Sequence, residues 1–440
     1  MSFLGKGSFP TPLKSIHSSY SLFLIKRLIK KTGGCMNLLL SSGLIFSFAA
    51  IAVTLLKWWN IKCVGVTPVH TLTFIAILFT SGLDVGLIMF PLTEFAGYAN
   101  LTESPEYSFA NPLAIEFGYW AFLIWGFYFL TCFYFCIIEP RVKFFELPLV
   151  KLINNIVIIG TCAFTAYLLL VNLPWYLPQI GDGESVVPTF YLIVLASIAL
   201  AVYSSSSMKL LRLLSLGSSF LFIALIVIMW FRAYMTDNGH PEDFLSNAGL
   251  ISEYFTNIYQ FMLPLNDYHA FYLFWWFSWS IMIGQFTARF VSGIRTWQLL
   301  LAMMVFPSIA IGVWFTILYH YHTEGLQIAG FINVMMIVVG ILMVMNSLDS
   351  LIRLYTDNLN LTVERFGLMP YIIGNLVVMC ALTLLFQLDF LKIEWVGALV
   401  IGLYFSCFIY IMLKKRHEVA SIKGPCEENT LDFKKVELTR

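Results

Sequence analysis

The chain has 440 residues, of which 59% are hydrophobic and only 12% are charged, with a formal net charge of +1. Soluble domains carry about 25% charged residues, so this composition excludes a water-soluble protein and requires lipid as the solvent. The net charge gives no basic face for a nucleic acid. Eight cysteines are scattered without metal-ligand spacing, so neither a metal centre nor an organic cofactor is expected.

Apolar runs long enough to cross a bilayer recur along the chain, because about 20 helical residues span its hydrocarbon core. They predict an all-α polytopic membrane protein of about 11 helices. The predicted helices lie at residues 37–57, 71–96, 113–138, 152–176, 187–204, 210–232, 267–288, 297–319, 327–350, 369–387 and 391–413. A shorter amphipathic segment at 248–263, between the sixth and seventh helices, is expected to lie on the membrane surface.

The charges of the loops predict the orientation in the membrane, since lysine and arginine collect on the cytoplasmic side. The basic set of alternate loops contains Lys57, Lys62, Arg141, Lys143, Lys151, Lys209, Arg289, Arg295, Arg353, Arg365, Lys414, Lys415 and Arg416. The other set contains Glu103, Glu106, Asp182, Glu184, Asp237, Glu242 and Asp243. This pattern divides the chain into a basic N-terminal tail (1–36), a transmembrane domain (37–413) and a cytoplasmic C-terminal tail (414–440).

The N-terminal tail does not fit this orientation. An odd number of helices places it outside, although it contains Lys6, Lys14 and the basic stretch 26–31. Three interpretations stay open: residues 18–29 dip into the membrane, the true start lies elsewhere, or an ancestral first helix has been lost.

The second predicted helix contains residues that are unfavourable inside a membrane: Gly82, Asp84, Gly86, Pro91 and Glu94. Helix breaks at this depth persist where freed backbone groups line a cavity or meet a ligand, and in transporters they mark ion and substrate sites. The alternative is a kinked helix that packs closely through its glycines. Asp84 is either a proton or cation site or a buried carboxyl that stays neutral. Glu94 is expected at the interface.

Tryptophan and tyrosine are concentrated in two other predicted helices. Trp120, Trp125 and Tyr128 lie in the third helix, and Trp275, Trp276 and Trp279 lie in the seventh. Tryptophan usually anchors a helix at the membrane interface, which is the alternative interpretation. Deep within a span, several ring faces around one cavity would bind a tetra-alkylammonium group, an attraction of about 2 kcal/mol or more when desolvated.

The ninth predicted helix ends in the polar segment 346–350, which reads Asn-Ser-Leu-Asp-Ser. Side-chain oxygens of this kind suit a hard monovalent cation. The alternative is ordinary capping at the end of a helix.

At these positions the sequence resembles the betaine/choline/carnitine transporter family, over a region from about residue 37 to 413. The most specific match is the stretch 275–280, which reads Trp-Trp-Phe-Ser-Trp-Ser and is followed by a basic loop. The stretch from Gly82 to Glu94 is similar to the family's glycine-rich unwound helix, and 346–350 is similar to its sodium-binding segment.

The resemblance implies a role for individual residues of this sequence. The implied substrate site is an aromatic box around a trimethylammonium group, formed by Trp120, Trp125, Tyr128 and Trp276, with Trp279 beside it on the permeation path. The implied sodium site uses backbone oxygens of Thr80, Leu83 and Met343 and the side chains of Asn346 and Ser347. Asn346 replaces a family threonine, Asp84 replaces a glycine and thereby adds a possible proton site, and Val157 replaces a threonine of a second sodium site that Thr161 matches.

The resemblance further implies a fold of two inverted five-helix repeats, helices two to six and seven to eleven. The implied activity is secondary active uptake of a betaine-, choline- or carnitine-type solute by alternating access, coupled to sodium or protons, in a multi-pass protein of the cell (inner) membrane that assembles as a homotrimer. The alternative is a non-transporting osmosensor or receptor-like relic. An enzyme is not expected, because the one close histidine pair, His320 and His322, lacks a carboxylate–histidine helix motif.

Overall fold

A computed structural model describes residues 21–82, 86–235 and 240–425, with side chains from Gly34 onward apart from Met89 and Met208. The predicted site residues Leu83 and Asp84 lie outside the described residues, as do Asp237 and most of the two tails. The first helix begins at Ser21, within the segment expected to be a tail.

The elements of the first half follow each other closely and are almost all helical. In chain order they are α1 (Ser21–Trp58), β1 (Lys62–Val64), α2 (Thr71–Ser81), α3 (Gly86–Ala99), a 3₁₀ turn (Pro105–Tyr107), α4 (Pro112–Trp120), α5 (Leu123–Phe133), a π-helical turn (Tyr134–Ile138), α6 (Glu139–Val142), α7 (Pro148–Tyr176), a 3₁₀ turn (Pro178–Ile180), α8 (Pro188–Ser205) and α9 (Met208–Met235).

The second half begins with short helices and continues with long ones. Its elements are α10 (Pro241–Gly249), α11 (Ser252–Thr256), a 3₁₀ turn (Ile258–Met262), α12 (Asp267–Ala288), β2 (Ser292–Arg295), α13 (Thr296–Leu300), a π-helical turn (Leu301–Val305), α14 (Phe306–Thr323), α15 (Phe331–Leu359), α16 (Val363–Phe366), α17 (Leu368–Gln387), α18 (Ile393–Tyr410), a π-helical turn (Ile411–Lys415) and α19 (Arg416–Ala420).

Within the described residues, nine helical segments are long and apolar enough to cross a membrane. They are Gly34–Trp58, Pro112–Val142, Pro148–Tyr176, Pro188–Ser205, Lys209–Met235, Thr296–Thr323, Phe331–Leu359, Leu368–Gln387 and Ile393–Ala420. The prediction of an all-α polytopic membrane protein is therefore confirmed. The predicted count of about 11 is higher because the second predicted span divides into two short helices, α2 and α3, and because the tryptophan and tyrosine content of α12 lowers its mean hydropathy.

Prolines and asparagines at the helix starts explain several boundaries. Pro112, Pro148 and Pro188 occupy the first turns of α4, α7 and α8, where a missing N–H breaks no helical hydrogen bond. Asn111 and Asn266 cap α4 and α12, because their side-chain oxygens accept the N–H groups of Ala114 at 3.0 Å and His269 at 2.8 Å.

Two loops that are distant in sequence pair as a short antiparallel ladder, with Lys62 opposite Arg295 and Cys63 opposite Ile294. The charges of the sequence predict both loops on the basic side, but no local pattern predicts a strand, because the pairing is set by the fold. The ladder places the ends of α1 and α12 at the same end of the bundle, here named the inner end. That this end faces the cytoplasm stays a prediction.

The segment 248–263, predicted as one amphipathic surface helix, is instead part of a series of short helices packed on the opposite end, here named the outer end. Tyr254 and Phe261 are buried there, and an added Cβ at Gly118 would lie 2.3 Å from Phe261. The carboxylate of Glu253 accepts the backbone N–H of Asn111 at 2.7 Å. The prediction of a single helix was wrong, since turns at residues 250–251 and at Asn257 divide the segment, and Tyr254 packs on Phe117 of α4.

The centre of the bundle is built around α12 and α15. The helix α12 packs against α5 and α18, and α15 packs against α7, α8 and α9. This arrangement brings the predicted tryptophan-rich helix against the third predicted span, while the arrangement as two inverted repeats stays a prediction.

Candidate functional site

The second predicted span is interrupted. The helix α2 ends at Ser81, where the N–H of Gly82 still reaches the carbonyl of Leu78 at 2.9 Å, and α3 begins at Gly86. Helix ends leave backbone carbonyls and N–H groups without partners in the helix, so a break at this depth supplies polar groups inside an apolar bundle.

Indole rings pack directly against the two glycines at this break. An added Cβ at Gly86 would lie 2.5 Å from Cη2 of Trp120, and one at Gly82 would lie 3.4 Å from Cη2 of Trp125. Carbon atoms in contact are about 3.5–4.0 Å apart, so a side chain at Gly86 would overlap the Trp120 ring. The glycines let the aromatic side chains of the third span approach the broken second span closely.

The third predicted span is interrupted as well, which the sequence analysis did not predict. The helix α4 ends at Trp120, Ala121 is extended, and Phe122 has a φ of +51° before α5 starts at Leu123. The N–H of Phe122 is donated to Oγ of Ser308 at 2.8 Å, which satisfies one of the freed groups. A bulky residue with positive φ is rare and signals a local constraint.

This break brings together side chains that a continuous helix would turn apart. The indole N–H of Trp125 is donated to the carbonyl of Trp120 at 3.0 Å, and the Trp125 ring meets Tyr128 edge to face with centroids 5.2 Å apart. Trp276 of α12 meets Trp120 at 5.3 Å and Tyr128 at 6.4 Å, and its indole N–H is donated to the carbonyl of Tyr119 at 2.8 Å.

Four of the five predicted substrate residues therefore form one aromatic cluster, consisting of Trp120, Trp125, Tyr128 and Trp276. All four side chains are at most 2% exposed. Centroid separations of 4.5–7 Å are those of rings in direct contact. A cation bound by the ring faces lies within about 6 Å of each centroid and has to fit between them. The rings of the cluster contact one another in this conformation.

The fifth predicted residue, Trp279, lies apart from the cluster. Within the described part of the chain its ring makes no aromatic contact and its buried Nε1 has no hydrogen-bond partner. Trp275, which the sequence analysis did not assign to the site, takes part instead. It stacks on Trp276 with centroids 5.2 Å apart and meets Trp120 edge to face at 5.6 Å. The adjacency of Trp275 and Trp276 in the sequence was the signal that could have indicated this contact.

The predicted ion-binding residues lie where α2 and α15 pack together. Thr80, Met343, Asn346 and Ser347 are all fully buried, and the hydroxyls of Ser81 and Ser350 lie 3.2 Å apart across the contact. Their oxygen-rich chemistry fits a hard cation.

Two of these residues also make internal hydrogen bonds. The Thr80 hydroxyl is donated to the carbonyl of Ala76 at 3.0 Å. Asn346 contacts α9, since its Oδ1 accepts from Ser215 at 3.3 Å and its Nδ2 donates to Ser218. Thr161, the matched threonine of the second sodium site, is buried, and its Oγ1 has no partner among the described residues.

Glu94, expected at the membrane interface, is instead buried within the protein and only 6% exposed. The Tyr98 hydroxyl lies 2.6 Å from Oε2 of Glu94 and 2.8 Å from Oε2 of Glu116, a second buried carboxyl that the sequence analysis did not single out. Tyr268 and Tyr272 of α12 donate to Oε1 of Glu94, the latter at 2.9 Å. The carboxyls are joined to the aromatic cluster because Tyr272 meets Trp120 at 5.7 Å.

The loop before α4 forms hydrogen bonds next to the buried carboxyls, on the side nearer the outer end. The Tyr107 and Tyr119 hydroxyls lie 3.1 Å apart, and Asn266 donates to Tyr107 at 2.8 Å. Burial raises the pKa of the Tyr107 hydroxyl, so it stays protonated at neutral pH.

The inner end is held by a buried ion-pair network. Nη1 of Arg289, at the end of α12, lies 3.2 Å from Oδ2 of Asp357 on α15, and Nε of Arg353 lies 3.4 Å from Oδ1 of the same carboxylate. The backbone carbonyl of Arg289 also accepts the N–H of Thr67 at 2.8 Å. The contacts join both central helices to the loop that carries β1.

Two interrupted helices, a closed aromatic cluster and a buried polar contact between α2 and α15 define a polytopic α-helical membrane protein with an internal site of a kind found in transporters. Comparison with curated proteins agrees. The chain is 24% identical over 314 residues to the glycine betaine transporter OpuD of Bacillus subtilis, which covers 60% of this chain and 57% of that protein. It is 24% identical over 286 residues to an uncharacterized transporter of Haemophilus influenzae, covering 56% of this chain and 41% of the relative.

The matched region thus spans about half the length of these relatives. No protein-family model matches the chain.

Proposed function

We propose that this chain is a secondary transporter that takes up a small quaternary-ammonium solute of the betaine, choline or carnitine type. The observation that supports this most directly is the convergence of Trp120, Trp125, Tyr128 and Trp276 from two different spans against the glycines of a broken third one. Ring faces attract a cation that has no N–H groups and that would lose its hydration in such a site. The glycine betaine transporter among the relatives supports the same substrate class.

The proposed mechanism is alternating access, with the described conformation as the closed state. The rings of the cluster separate at the outer end to admit the solute, close around it, and then release it when the inner end opens. The coupling ion is sodium or a proton. Coupling requires that ion and solute bind the closed state more tightly together than separately, since a ligand with equal affinity for both states shifts no population.

The sodium alternative uses the contact between α2 and α15. Backbone oxygens at Thr80 and Met343, with the side chains of Asn346 and Ser347, are the described candidates, and Leu83 completes the proposed set. Occupancy by sodium would require the amide oxygen of Asn346 to accept the ion in addition to, or in place of, the Ser215 hydroxyl.

The test is uptake of radiolabelled glycine betaine, choline and carnitine into vesicles that contain the protein. Trp276→Leu removes a central ring, and we expect about a 30-fold loss of apparent affinity, which corresponds to the roughly 2 kcal/mol of one desolvated cation–π contact. The matched control is Trp395→Leu, because Trp395 lies on α18 and is 52% exposed.

Equal uptake by the two variants would contradict an aromatic substrate site. Binding of the solute by reconstituted protein without any uptake would instead favour the receptor or osmosensor alternative. Sodium and pH are varied independently in the same assay to identify the coupling ion.

A further inference from the structure

Two carboxyls at the outer end share a single hydroxyl group. Oε2 of Glu94 on α3 and Oε2 of Glu116 on α4 lie 2.6 Å and 2.8 Å from the same Tyr98 oxygen. Both distances are those of strong hydrogen bonds, and each such bond needs one proton. A tyrosine hydroxyl supplies only one proton, so it donates to one carboxyl and accepts from the other. One of the two carboxyls is therefore protonated in this arrangement.

The surrounding donors decide which carboxyl carries the proton. Oε1 of Glu94 receives the hydroxyls of Tyr268 and Tyr272, so this carboxylate is stabilised as an anion. Oε1 of Glu116 has no hydrogen-bond partner in the described part of the chain, and the residue is fully buried. An ionised carboxylate with so few donors is strongly disfavoured by burial. This distribution of donors favours the proton on Glu116, which would then donate to Tyr98 while Tyr98 donates to Glu94.

The titratable groups around the pair come from every element packed on it. The 3₁₀ turn before α4 contributes Glu106, which accepts from Asn266, and Tyr107. The helix α4 contributes Tyr119, α12 contributes Tyr268, His269 and Tyr272, and α14 contributes Tyr319 and His322, whose rings lie 5.2 Å and 5.5 Å from the ring of Phe95.

The imidazole of His269 supplies no positive charge to the pair. Nδ1 of His269 accepts the N–H of Leu265 at 3.2 Å, so that imidazole is neutral, and its ring stacks on Tyr119 at 4.5 Å. Within the described residues neither Glu94 nor Glu116 forms an ion pair. In the closed state, a proton bound to one of the two carboxyls therefore neutralises the second negative charge of the pair.

We propose that Glu94, Tyr98 and Glu116 form a one-proton binding site, and that the proton bound there is the coupling ion of the transport cycle. This second part rests on the proposed function. The proton comes from the outer solution, adds to a carboxylate oxygen of the pair as the outer end closes, and leaves from the same oxygen to the inner solution after the inner end opens.

The site is linked to the aromatic cluster through two short paths. Glu116 and Trp120 are four residues apart on α4 and therefore lie on the same face of that helix. The indole Nε1 of Trp120 is buried and has no hydrogen-bond partner within normal distance among the described residues. Tyr272 contacts Glu94 with its hydroxyl and Trp120 with its ring. Loss of the proton places two negative charges on one hydroxyl, and the repulsion separates α3 from α4 where they cover the cluster.

The first test needs no solute. Infrared difference spectra of the full chain in lipid nanodiscs are recorded through a pH titration, and the absorbance of protonated carboxyl groups is compared between proteins. We expect the wild type and the control Glu242→Gln, which removes an exposed carboxyl at the start of α10, to show one titrating band that Glu116→Gln lacks. An identical set of bands in Glu116→Gln and in the wild type overturns the proton site.

A second variant keeps this test decisive if Glu116→Gln does not fold. Tyr98→Phe retains both carboxyls and the ring but removes the shared hydroxyl. We expect the frequency and the titration midpoint of the carboxyl band to shift. A band with unchanged frequency and midpoint in Tyr98→Phe overturns the shared proton.

The coupling is tested by adding glycine betaine to weakly buffered protein with a pH-indicator dye. We expect uptake of about one proton per bound betaine in the wild type and in Glu242→Gln, independent of sodium, and none in Glu116→Gln. Betaine binding measured by calorimetry without proton uptake overturns the coupling role. Absence of betaine binding contradicts the proposed function instead, while the infrared titration still decides the proton site.

Discussion

Single residues determine how closely the aromatic side chains approach the broken helix. Gly86 contacts the Trp120 ring directly because it has no Cβ. Gly82 contacts the Trp125 ring in the same way, but at a larger distance. The sequence indicated these glycines as a helix break, but their role as a surface for indole rings depends on the packing of two spans. That packing cannot be derived from local composition.

At this scale we predict that Gly86→Ala destabilises the protein. The added methyl group would lie 2.5 Å from Cη2 of Trp120, and overpacking of this kind costs about 1–3 kcal/mol in the free energy of unfolding. The measurement is the midpoint of thermal unfolding of purified protein. The control is Gly217→Ala on α9, where an added Cβ meets no atom within 4 Å. Equal midpoints for the two variants would contradict the close approach.

Among the elements, the ends of α12 and α15 are joined by the Arg289–Asp357–Arg353 network at the inner end. The side chains of Arg289 and Asp357, which form the ion pair between the two helices, are at most 3% exposed. Removing one partner of a buried ion pair costs about 3–5 kcal/mol, because the remaining charge stays buried. The network therefore stabilises the packing of α12 against α15 at the inner end.

We expect Asp357→Asn to lower the thermal unfolding midpoint and to open the inner end more often. Opening is measured with a cysteine introduced at Thr356, a neighbouring buried position. The measured quantity is the rate at which a water-soluble maleimide labels this cysteine. Asp389→Asn is the control, because Asp389 is an exposed carboxyl in the loop between α17 and α18. An unchanged labelling rate in Asp357→Asn would show that the network does not hold this end closed.

The sequence predicted elements better than their interruptions. Each predicted span overlaps a helix because apolar runs of this length have few alternatives in lipid. The break at Ala121 and Phe122 was missed, since neither residue is a helix breaker and the positive φ of Phe122 is held by Ser308 and by the tertiary packing around it. The β1–β2 ladder was missed because its strands are more than 200 residues apart.

For the whole molecule, the β1–β2 ladder joins the inner ends of α1 and α12, and alternating access requires relative movement at this end. A Lys62→Cys, Arg295→Cys double variant tests this requirement. These residues are opposite each other in the ladder, where Cα atoms are about 4.5–5.5 Å apart and a disulfide is compatible with the geometry.

We expect oxidation of the double variant to stop uptake and a reducing agent to restore it. Each single cysteine variant is treated in the same way as a control, because Cys63 is a neighbouring native thiol. Full uptake by the cross-linked protein would indicate that the ladder moves as one rigid unit and that the inner end opens elsewhere.

The candidate site was predictable to the extent that it depends on residue type. The resemblance groups Trp120, Trp125, Tyr128 and Trp276 in one site, and the structure brings these four into contact, whereas Trp279 lies apart. Their role in binding a substrate stays a prediction. The partnership of Glu94 with Glu116 was not predictable, because α3 and α4 are separated by a loop and the shared hydroxyl of Tyr98 becomes visible only when the three side chains are placed in space.

The interruption of the third span places residues of the aromatic cluster on two separate helices, α4 and α5. Trp120 lies on α4, whereas Trp125 and Tyr128 lie on α5, and the two helices meet only at the extended Ala121 and at Phe122. Under the proposed alternating access, a change of backbone angle at this junction would tilt the short helix α4 while α5 keeps its packing against α12. The entrance to the proposed substrate site would then widen without unpacking the opposite end of the bundle.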